Sequence, residues 1–168
     1  MKENSSAIHE PTDHSFMKEC GQHMLHSGES SGNPLELDYK QKMAIFNFLN
    51  QICYLSEEEI KSLLVQDAQL NQVYQDIVEW AGQGVKEAEF AMGVLHHDPY
   101  VEKRSDMKQL DAAIGYFTKA AEKGVICAAN YLYRIYSIYT KDYEKVLFWA
   151  LKAVSLGSVE ARGWVYFS

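Results

Sequence analysis

The sequence predicts an all-α protein, more specifically an α-solenoid in which antiparallel helix pairs stack on one another. One observation is the amphipathic stretch from Gln109 to Gly124, which has the apolar spacing of a single helix and ends at a glycine. The other is a recurring ending, a glycine followed four residues later by an alanine: Gly84/Ala88, Gly124/Ala128 and Gly157/Ala161. The intervals between these three glycines are typical of helix-turn-helix repeats.

Aligning the glycines brings further positions into register. Lys119-Ala120-Ala121 falls on Lys152-Ala153-Val154, and the aromatic residue eight positions before the glycine is Tyr116 in one copy and Trp149 in the other. Each glycine is expected to adopt the left-handed conformation that ends one helix and turns the chain into the next. The alanines are expected to let neighbouring helices approach closely.

These positions resemble Sel-one-like repeats, relatives of the tetratricopeptide repeats, from about Gln75 to the end of the chain. The matching positions of the first unit are Ala88, Phe90, Met92, Gly93, Leu95, Ala113, Tyr116, Phe117, Lys119, Ala120, Ala121 and Gly124. Those of the second are Ala128, Leu132, Ile135, Tyr136, Trp149, Lys152, Ala153 and Gly157. Tyr133 and His96 depart from the pattern, since they stand where the family has glycine and tyrosine. The resemblance implies a right-handed solenoid of about two and a half helix pairs.

The chain divides into three parts. Residues 1–33 are polar and are expected to be mobile, with a short docked helix that includes Phe16, Met17, Met24 and Leu25 as the alternative. Residues 34–84 are expected to form helices that include a degenerate first repeat, and residues 85–168 to hold the Sel-one-like repeats. A helix is predicted within 35–55, and Ser56 with Glu59 has the signature of a capping box for the next. A third helix is predicted to end at Gly82 or Gly84, and the longest loop to run from Asp98 to Asp106.

Composition indicates the cellular compartment of the protein. The sequence has no apolar run of membrane-spanning length, and its first residues lack the apolar centre of a secretory signal. Three cysteines, Cys20, Cys53 and Cys127, are odd in number and widely spaced, which favours unpaired thiols in a reducing compartment over a disulfide framework. Cys53 and Cys127 lie in apolar helical stretches and are expected to be small core residues. We therefore expect a cytoplasmic protein that does not associate with membranes.

Charge favours a basic protein as partner. The net charge is −7, with 13 acidic and 5 basic residues up to Gly84 and 10 acidic and 11 basic residues after it. An acidic half repels phosphate backbones and attracts cationic surfaces, so we expect no nucleic-acid binding. Acidic charge that serves only solubility is the alternative.

Candidate chemistry is sparse, and we expect neither a cofactor nor a metal. Cys20, His23 and His26, with His14 nearby, hold ligand types for zinc or copper, but not at a standard structural-zinc spacing. His96-His97 suits the C-terminal end of a helix electrostatically. The sequence has no phosphate loop, nucleophile motif or nucleotide fingerprint.

If the correspondence to tetratricopeptide relatives holds, the concave face is lined by positions three, six, ten and thirteen after each glycine. Those positions are Glu87, Phe90, Val94, His97, Cys127, Asn130, Arg134, Ser137, Glu160, Gly163 and Phe167. Asn130 and Arg134 are expected to hold a peptide group and a carboxylate of a partner, with Phe90 and Val94 in apolar contact. The alternative is that Phe90 belongs to the core and that Arg134 only neutralises nearby acidic residues.

The end of the sequence holds a second candidate surface. Trp164, Tyr166 and Phe167 are expected to form an exposed apolar patch, covered by a partner or by a second copy in a homodimer.

The sequence thus predicts a non-enzymatic protein-binding module. The resemblance implies a bacterial immunity or antitoxin protein that neutralises a toxin by binding it, or an adaptor in a signalling or secretion complex. An enzyme with a metal or histidine site, at His96-His97 or the Cys20 cluster, is the alternative from another class.

Overall fold

The computed structural model of the protein describes residues 20–22, 24–25, 36–98 and 109–167. Within them the chain is helical and contains no strand, which confirms the all-α prediction. The helices are α1 (Tyr39–Ile52), α2 (Glu57–Gln66), α3 (Ala68–Gly82), α4 (Lys86–His96), α5 (Leu110–Glu122), α6 (Ile126–Ile135), α7 (Tyr143–Ser155) and α8 (Val159–Phe167). A π-helical turn, Tyr136–Thr140, separates α6 from α7. Of the predicted loop, Asp98 is described and buried, and residues 99–106 lie outside the described residues.

The helix starts follow local sequence signals. At α2 the Ser56 hydroxyl accepts from the Glu59 N–H at 3.2 Å, and the Glu59 carboxylate accepts from the Ser56 N–H at 2.8 Å. The predicted capping box is therefore confirmed. Asp38 and Gln41 form the same reciprocal pair at the start of α1.

The three repeat glycines end α3, α5 and α7 as predicted. Their φ angles are +87° for Gly84, +99° for Gly124 and +107° for Gly157. After each glycine, the next N–H donates to the carbonyl five residues earlier, at 3.0 Å for Val85 and Val125 and 2.9 Å for Ser158. This pattern satisfies carbonyls that a helix end otherwise leaves unpaired.

From α3 to α8, each helix packs on its neighbours in sequence, and α1 packs on both α3 and α4. A cluster of three buried rings joins α4, α5 and α6, with centroid distances of 5.7 Å for Phe90–Phe117, 5.3 Å for Phe90–Tyr131 and 5.1 Å for Phe117–Tyr131. Neighbour-on-neighbour packing is the arrangement a repeat array requires. The right-handed solenoid and its repeat number stay predictions.

A disulfide joins Cys20 to Cys127, 107 residues away in sequence. The expectation that both are unpaired thiols is wrong. The fold buries the two cysteines side by side, and their spacing along the chain gives no indication of this contact. Cys53 forms no disulfide; it is buried as predicted, and its thiol donates to the Asn50 carbonyl at 3.2 Å.

The disulfide ties the N-terminal segment to the helices. Residues 20–22 and 24–25 are helical, Cys20 and Met24 are buried, and a Cβ atom at Gly21 would overlap the ring of Phe46 in α1. This part of the predicted mobile segment is therefore docked on the core. Residues 1–19, 23 and 26–35 lie outside the described residues. None of the described helices is both long and apolar enough to cross a membrane.

Candidate partner-binding surfaces

Most of the predicted concave-face residues are buried. The side chains that the fold encloses are Glu87, Phe90, Val94, His97, Cys127 and Asn130. They lie between helices that pack directly on one another, so they do not line an open groove in the described structure. Phe90 belongs to the aromatic cluster of the core, which was the alternative interpretation of this residue.

The buried polar members of this set have partners inside the fold. Glu87 of α4 lies 3.3 Å from the Lys86 ammonium and 3.9 Å from that of Lys42 in α1. Asn130 accepts a hydrogen bond at 2.8 Å from the hydroxyl of Ser158, which itself caps α8 by accepting from the Ala161 N–H at 3.0 Å. Their roles here are structural, since burying charged or polar groups requires partners.

The two adjacent histidines have different surroundings. His97 is fully buried and its ring meets Tyr139 edge-to-face, with centroids 4.8 Å apart. His96 is half-buried, stacks on Tyr116 at 5.6 Å, and has Nδ1 3.0 Å from the Gln109 side-chain oxygen. Because an amide oxygen only accepts, this contact requires the proton on Nδ1.

The described residues hold no cluster of three His, Cys, Asp or Glu side chains that would bind a metal ion. Cys20 is not a thiolate ligand, because its sulfur is bonded to Cys127. His14, His23 and His26 lie outside the described residues.

Three of the predicted concave-face residues, Arg134, Ser137 and Glu160, line a pocket at the α6–α8 end of the fold. We call this cavity of about 230 Å³ the C-terminal pocket; its lining residues are Tyr133, Arg134, Ser137, Ile138, Glu160 and Trp164. The Tyr133 hydroxyl donates to the Glu160 carboxylate at 2.8 Å, and the Arg134 Nε lies 3.5 Å from the same oxygen.

Tyr133 is held in its protonated form. Burial is the largest cause that raises the pKa of this phenol far above its usual range, followed by the charge and hydrogen bond of Glu160, with Arg134 opposing them. Tyr133 therefore acts as a hydrogen-bond donor that orients Glu160, rather than as a base.

The predicted apolar patch at the end of the chain is partly covered. Trp164 is half-buried and its ring lies 5.7 Å from that of Tyr133, whereas Tyr166 is exposed. The side chain of Phe167 lies outside the described residues. Binding of a partner or a second copy at this end stays a prediction.

A larger opening, which we call the α2–α4 groove, lies elsewhere. It measures about 380 Å³ and is bounded by α2, α3, α4 and the start of α5. Its apolar lining consists of Ile60, Leu64, Val65, Tyr74, Met92 and Leu95. Val65 stands at its edge with 85% of its surface exposed. The sequence did not predict this groove, although the adjacent apolar residues Leu64 and Val65 in α2 are a local signal of an exposed apolar side chain.

Polar groups cluster on one side of the groove. The Gln109 amide donates to Glu57 at 3.2 Å while its oxygen accepts from His96, and Lys61 lies 3.9 Å from Glu57. A cavity lined mainly by apolar side chains with a few convergent polar groups is typical of a recognition site.

No protein-family model, curated protein or solved structure matches this chain. Its function has to be inferred from the geometry of these surfaces.

The two openings differ in what they can bind. The C-terminal pocket is small, and its Glu160 carboxylate is already held by Tyr133 and Arg134. The α2–α4 groove has the larger volume and carries the more exposed apolar side chain. It is therefore the better candidate for contact with another protein.

Proposed function

We propose that this chain is a non-enzymatic protein-binding module whose partner inserts the apolar side of a helix into the α2–α4 groove. The observation that carries the proposal is the groove itself, which combines exposed Val65 with half-buried Leu64, Met92 and Leu95. Amphipathic helices bind apolar grooves of this kind through side chains spaced three or four residues apart.

Charge favours a basic partner. The first turn of α2 consists of Glu57, Glu58 and Glu59, and Glu57 lines the groove. Together with the acidic balance of residues 1–84, these carboxylates would steer a cationic protein toward this side of the molecule. The most concrete form of the proposal is an immunity or antitoxin-type protein that neutralises a basic bacterial toxin by binding it.

The Sel-one-like assignment is part of the proposal. Its support is the equivalent conformation of Gly84, Gly124 and Gly157 and the sequential packing from α3 to α8. A right-handed solenoid is the architecture that this assignment implies. An adaptor role is the second candidate, favoured by the presence of two separate openings, the groove and the C-terminal pocket.

A cytoplasmic location is also part of the proposal. The expected cytoplasmic location drew support from unpaired cysteines, and the Cys20–Cys127 bond removes that support. Disulfides persist mainly in oxidising compartments. Trapping thiols with an alkylating reagent in intact cells, followed by mass spectrometry, distinguishes the compartments: a bonded pair argues against a reducing cytoplasm.

The experiment that tests binding is capture of partners from native extract on the full chain, at low and at high salt. Val65→Glu places a charge at the groove, and Val78→Glu places the same charge at an exposed position of α3 outside it. We expect one stoichiometric basic protein that wild type and Val78→Glu retain and Val65→Glu loses.

Purified partner then separates the two roles. Loss of the partner's own activity on adding wild type, but not Val65→Glu, supports neutralisation, whereas binding without inhibition supports an adaptor. Equal binding of the partner by both glutamate variants would contradict the groove as its site.

A further inference from the structure

Helix α7 has an apolar face that nothing in the described part of the chain covers. Leu147, Phe148 and Leu151 are exposed over 48%, 61% and 49% of their surfaces. The opposite face of α7 carries Val146, Trp149, Ala150 and Ala153, all of them buried against the fold. The exposed side chains are therefore additional to those that hold α7 in place.

A comparison within the chain shows that two of these three helix positions do not require a large apolar residue, whereas Leu147 has an apolar counterpart in Ile114 of α5. Superposing Gly124 on Gly157 sets the correspondence between α5 and α7. In this alignment α5 has Gly115 where α7 has Phe148, and Thr118 where α7 has Leu151. Exposed clusters of large apolar side chains usually mark contact with another protein.

The charges on this face indicate which kind of protein binds it. Glu144 and Lys152 lie four residues before and after Phe148, so the helical period places all three on one side of α7. Among the residues that the structure describes, neither charge has an ion-pair partner. The face thus carries one charge of each sign, symmetrically about an aromatic residue.

Such a pattern is complementary to itself. A two-fold axis through Phe148 that pairs two α7 helices in antiparallel orientation brings Glu144 of each copy opposite Lys152 of the other. The same axis brings the two Phe148 rings together and each Leu147 near the other copy's Leu151. A partner attracted by net charge would instead require a face whose charges all have the same sign.

From this geometry we infer that the chain forms a homodimer through antiparallel pairing of α7, with two Glu144–Lys152 ion pairs around a core of Leu147, Phe148 and Leu151. This interface is separate from the proposed function, since α7 contributes no residue to the α2–α4 groove. It also differs from the predicted dimer through Trp164 and Tyr166.

The test is sedimentation equilibrium of the full, oxidised chain over a range of concentrations. We expect a dimer that Phe148→Glu converts to monomer. Glu144→Lys alone and Lys152→Glu alone place like charges opposite each other and should each raise the dissociation constant roughly tenfold. The double variant Glu144→Lys/Lys152→Glu exchanges the charges and should restore wild-type association.

Matched controls lie on α5, at the positions that the glycine alignment pairs with Glu144 and Lys152. Asp111→Lys and Lys119→Glu make the same charge changes at these exposed positions and should leave association unchanged. Circular dichroism melting checks that every variant is folded, which we expect because the substituted side chains are at the surface.

Four results would overturn the inference. The first three are a wild-type chain that stays monomeric throughout, single charge reversals that leave the dimer intact, and a double variant as weak as the singles. The fourth is a dimer abolished by Trp164→Glu but not by Phe148→Glu, which would place the interface on α8 instead of α7.

Discussion

Gly93 lies directly beneath the ring of Phe117, so close that a Cβ atom at position 93 would stand 2.5 Å from Cε1 of that ring. In the next unit along the chain the sizes are exchanged. When the glycines that precede the units, Gly84 and Gly124, are aligned, Tyr133 occupies the position of Gly93. When the terminal glycines Gly124 and Gly157 are aligned, Ala150 occupies the position of Phe117. Tyr133 and Ala150 are both buried. The large Tyr133 is therefore accompanied by a small residue at the position that Phe117 holds in the preceding unit.

Gly93→Ala should destabilise the fold. The added methyl group would overlap the fully buried ring of Phe117. Overpacking of this kind costs about 1–3 kcal/mol. Urea denaturation measures the loss in the free energy of unfolding. Gly115→Ala is the matched control: nothing lies within 4 Å of the added atom, so the better helix propensity of alanine should stabilise α5 by about 0.5–1 kcal/mol. Similar changes in both variants would contradict the close contact.

Reducing the Cys20–Cys127 bond should lower the free energy of unfolding by about 2–5 kcal/mol. The bond closes a long loop, and its loss releases conformational entropy in the unfolded chain. Denaturation with and without reductant measures the difference. Cys53→Ser leaves the bond intact, so reductant should shift this variant as much as wild type. An unfolding curve that reductant does not move, with both thiols shown to be alkylated, would argue against the bond's contribution.

Lys123→Met should destabilise the fold by about 1–3 kcal/mol, because it leaves the buried Glu89 carboxylate without its cation. The Lys123 ammonium lies 2.9 and 3.0 Å from the two Glu89 oxygens and donates to the Gly84 carbonyl at 2.8 Å. The Lys123 side chain is 39% exposed, which keeps the cost below that of a fully buried pair.

Lys61→Met is the control for this substitution, because its pair with Glu57 is exposed on both sides. It should cost less than about 1 kcal/mol. Thermal and chemical denaturation of the two variants side by side measures the contrast. If Lys123→Met proved no more costly than Lys61→Met, the Glu89 pair would not contribute as proposed.

Tyr133 should make the protein lose stability at alkaline pH. Its pKa is raised in the folded state, mainly by burial and then by Glu160, while the unfolded chain releases this proton at about pH 10. The unfolded state therefore binds fewer protons than the folded state above that pH, and stability falls there by up to about 1.4 kcal/mol per pH unit. Below about pH 10 the contribution is fully present.

Tyr133→Phe removes this titration along with the hydrogen bond to Glu160. The difference in unfolding free energy between wild type and Tyr133→Phe should be constant from neutral pH to about pH 9 and shrink above pH 10. Tyr143→Phe removes an exposed hydroxyl and should leave the profile of wild type unchanged. A wild-type profile that parallels Tyr133→Phe above pH 10 would contradict the raised pKa.

Features that depend on a few neighbouring residues could be predicted from the sequence. The capping box at Ser56 and Glu59 is formed by side chains and backbone groups three positions apart. The left-handed conformation of Gly84, Gly124 and Gly157 follows from the φ range that glycine alone adopts readily. These interactions are local, so the order of residues along the chain specifies them.

The candidate surfaces could be predicted only in part. Arg134 and Ser137 do line a pocket, because both side chains are only half-buried in the fold. Glu87 and Asn130 have equally polar side chains, yet α1 and α8 supply partners that enclose them. A sequence pattern gives the side of a helix that a residue occupies, but not which distant helix covers that side.

By itself, therefore, the sequence determined the helices, their caps and the glycine turns that divide them, since each depends on interactions within a turn or two of the chain. Only the tertiary structure decided that Cys20 reaches Cys127, that Tyr133 holds Glu160, and that Val65 borders an open groove while Phe90 is enclosed. The physical reason is that burial and pairing between distant segments depend on how whole helices pack, and packing is the joint result of many side chains that no local pattern encodes.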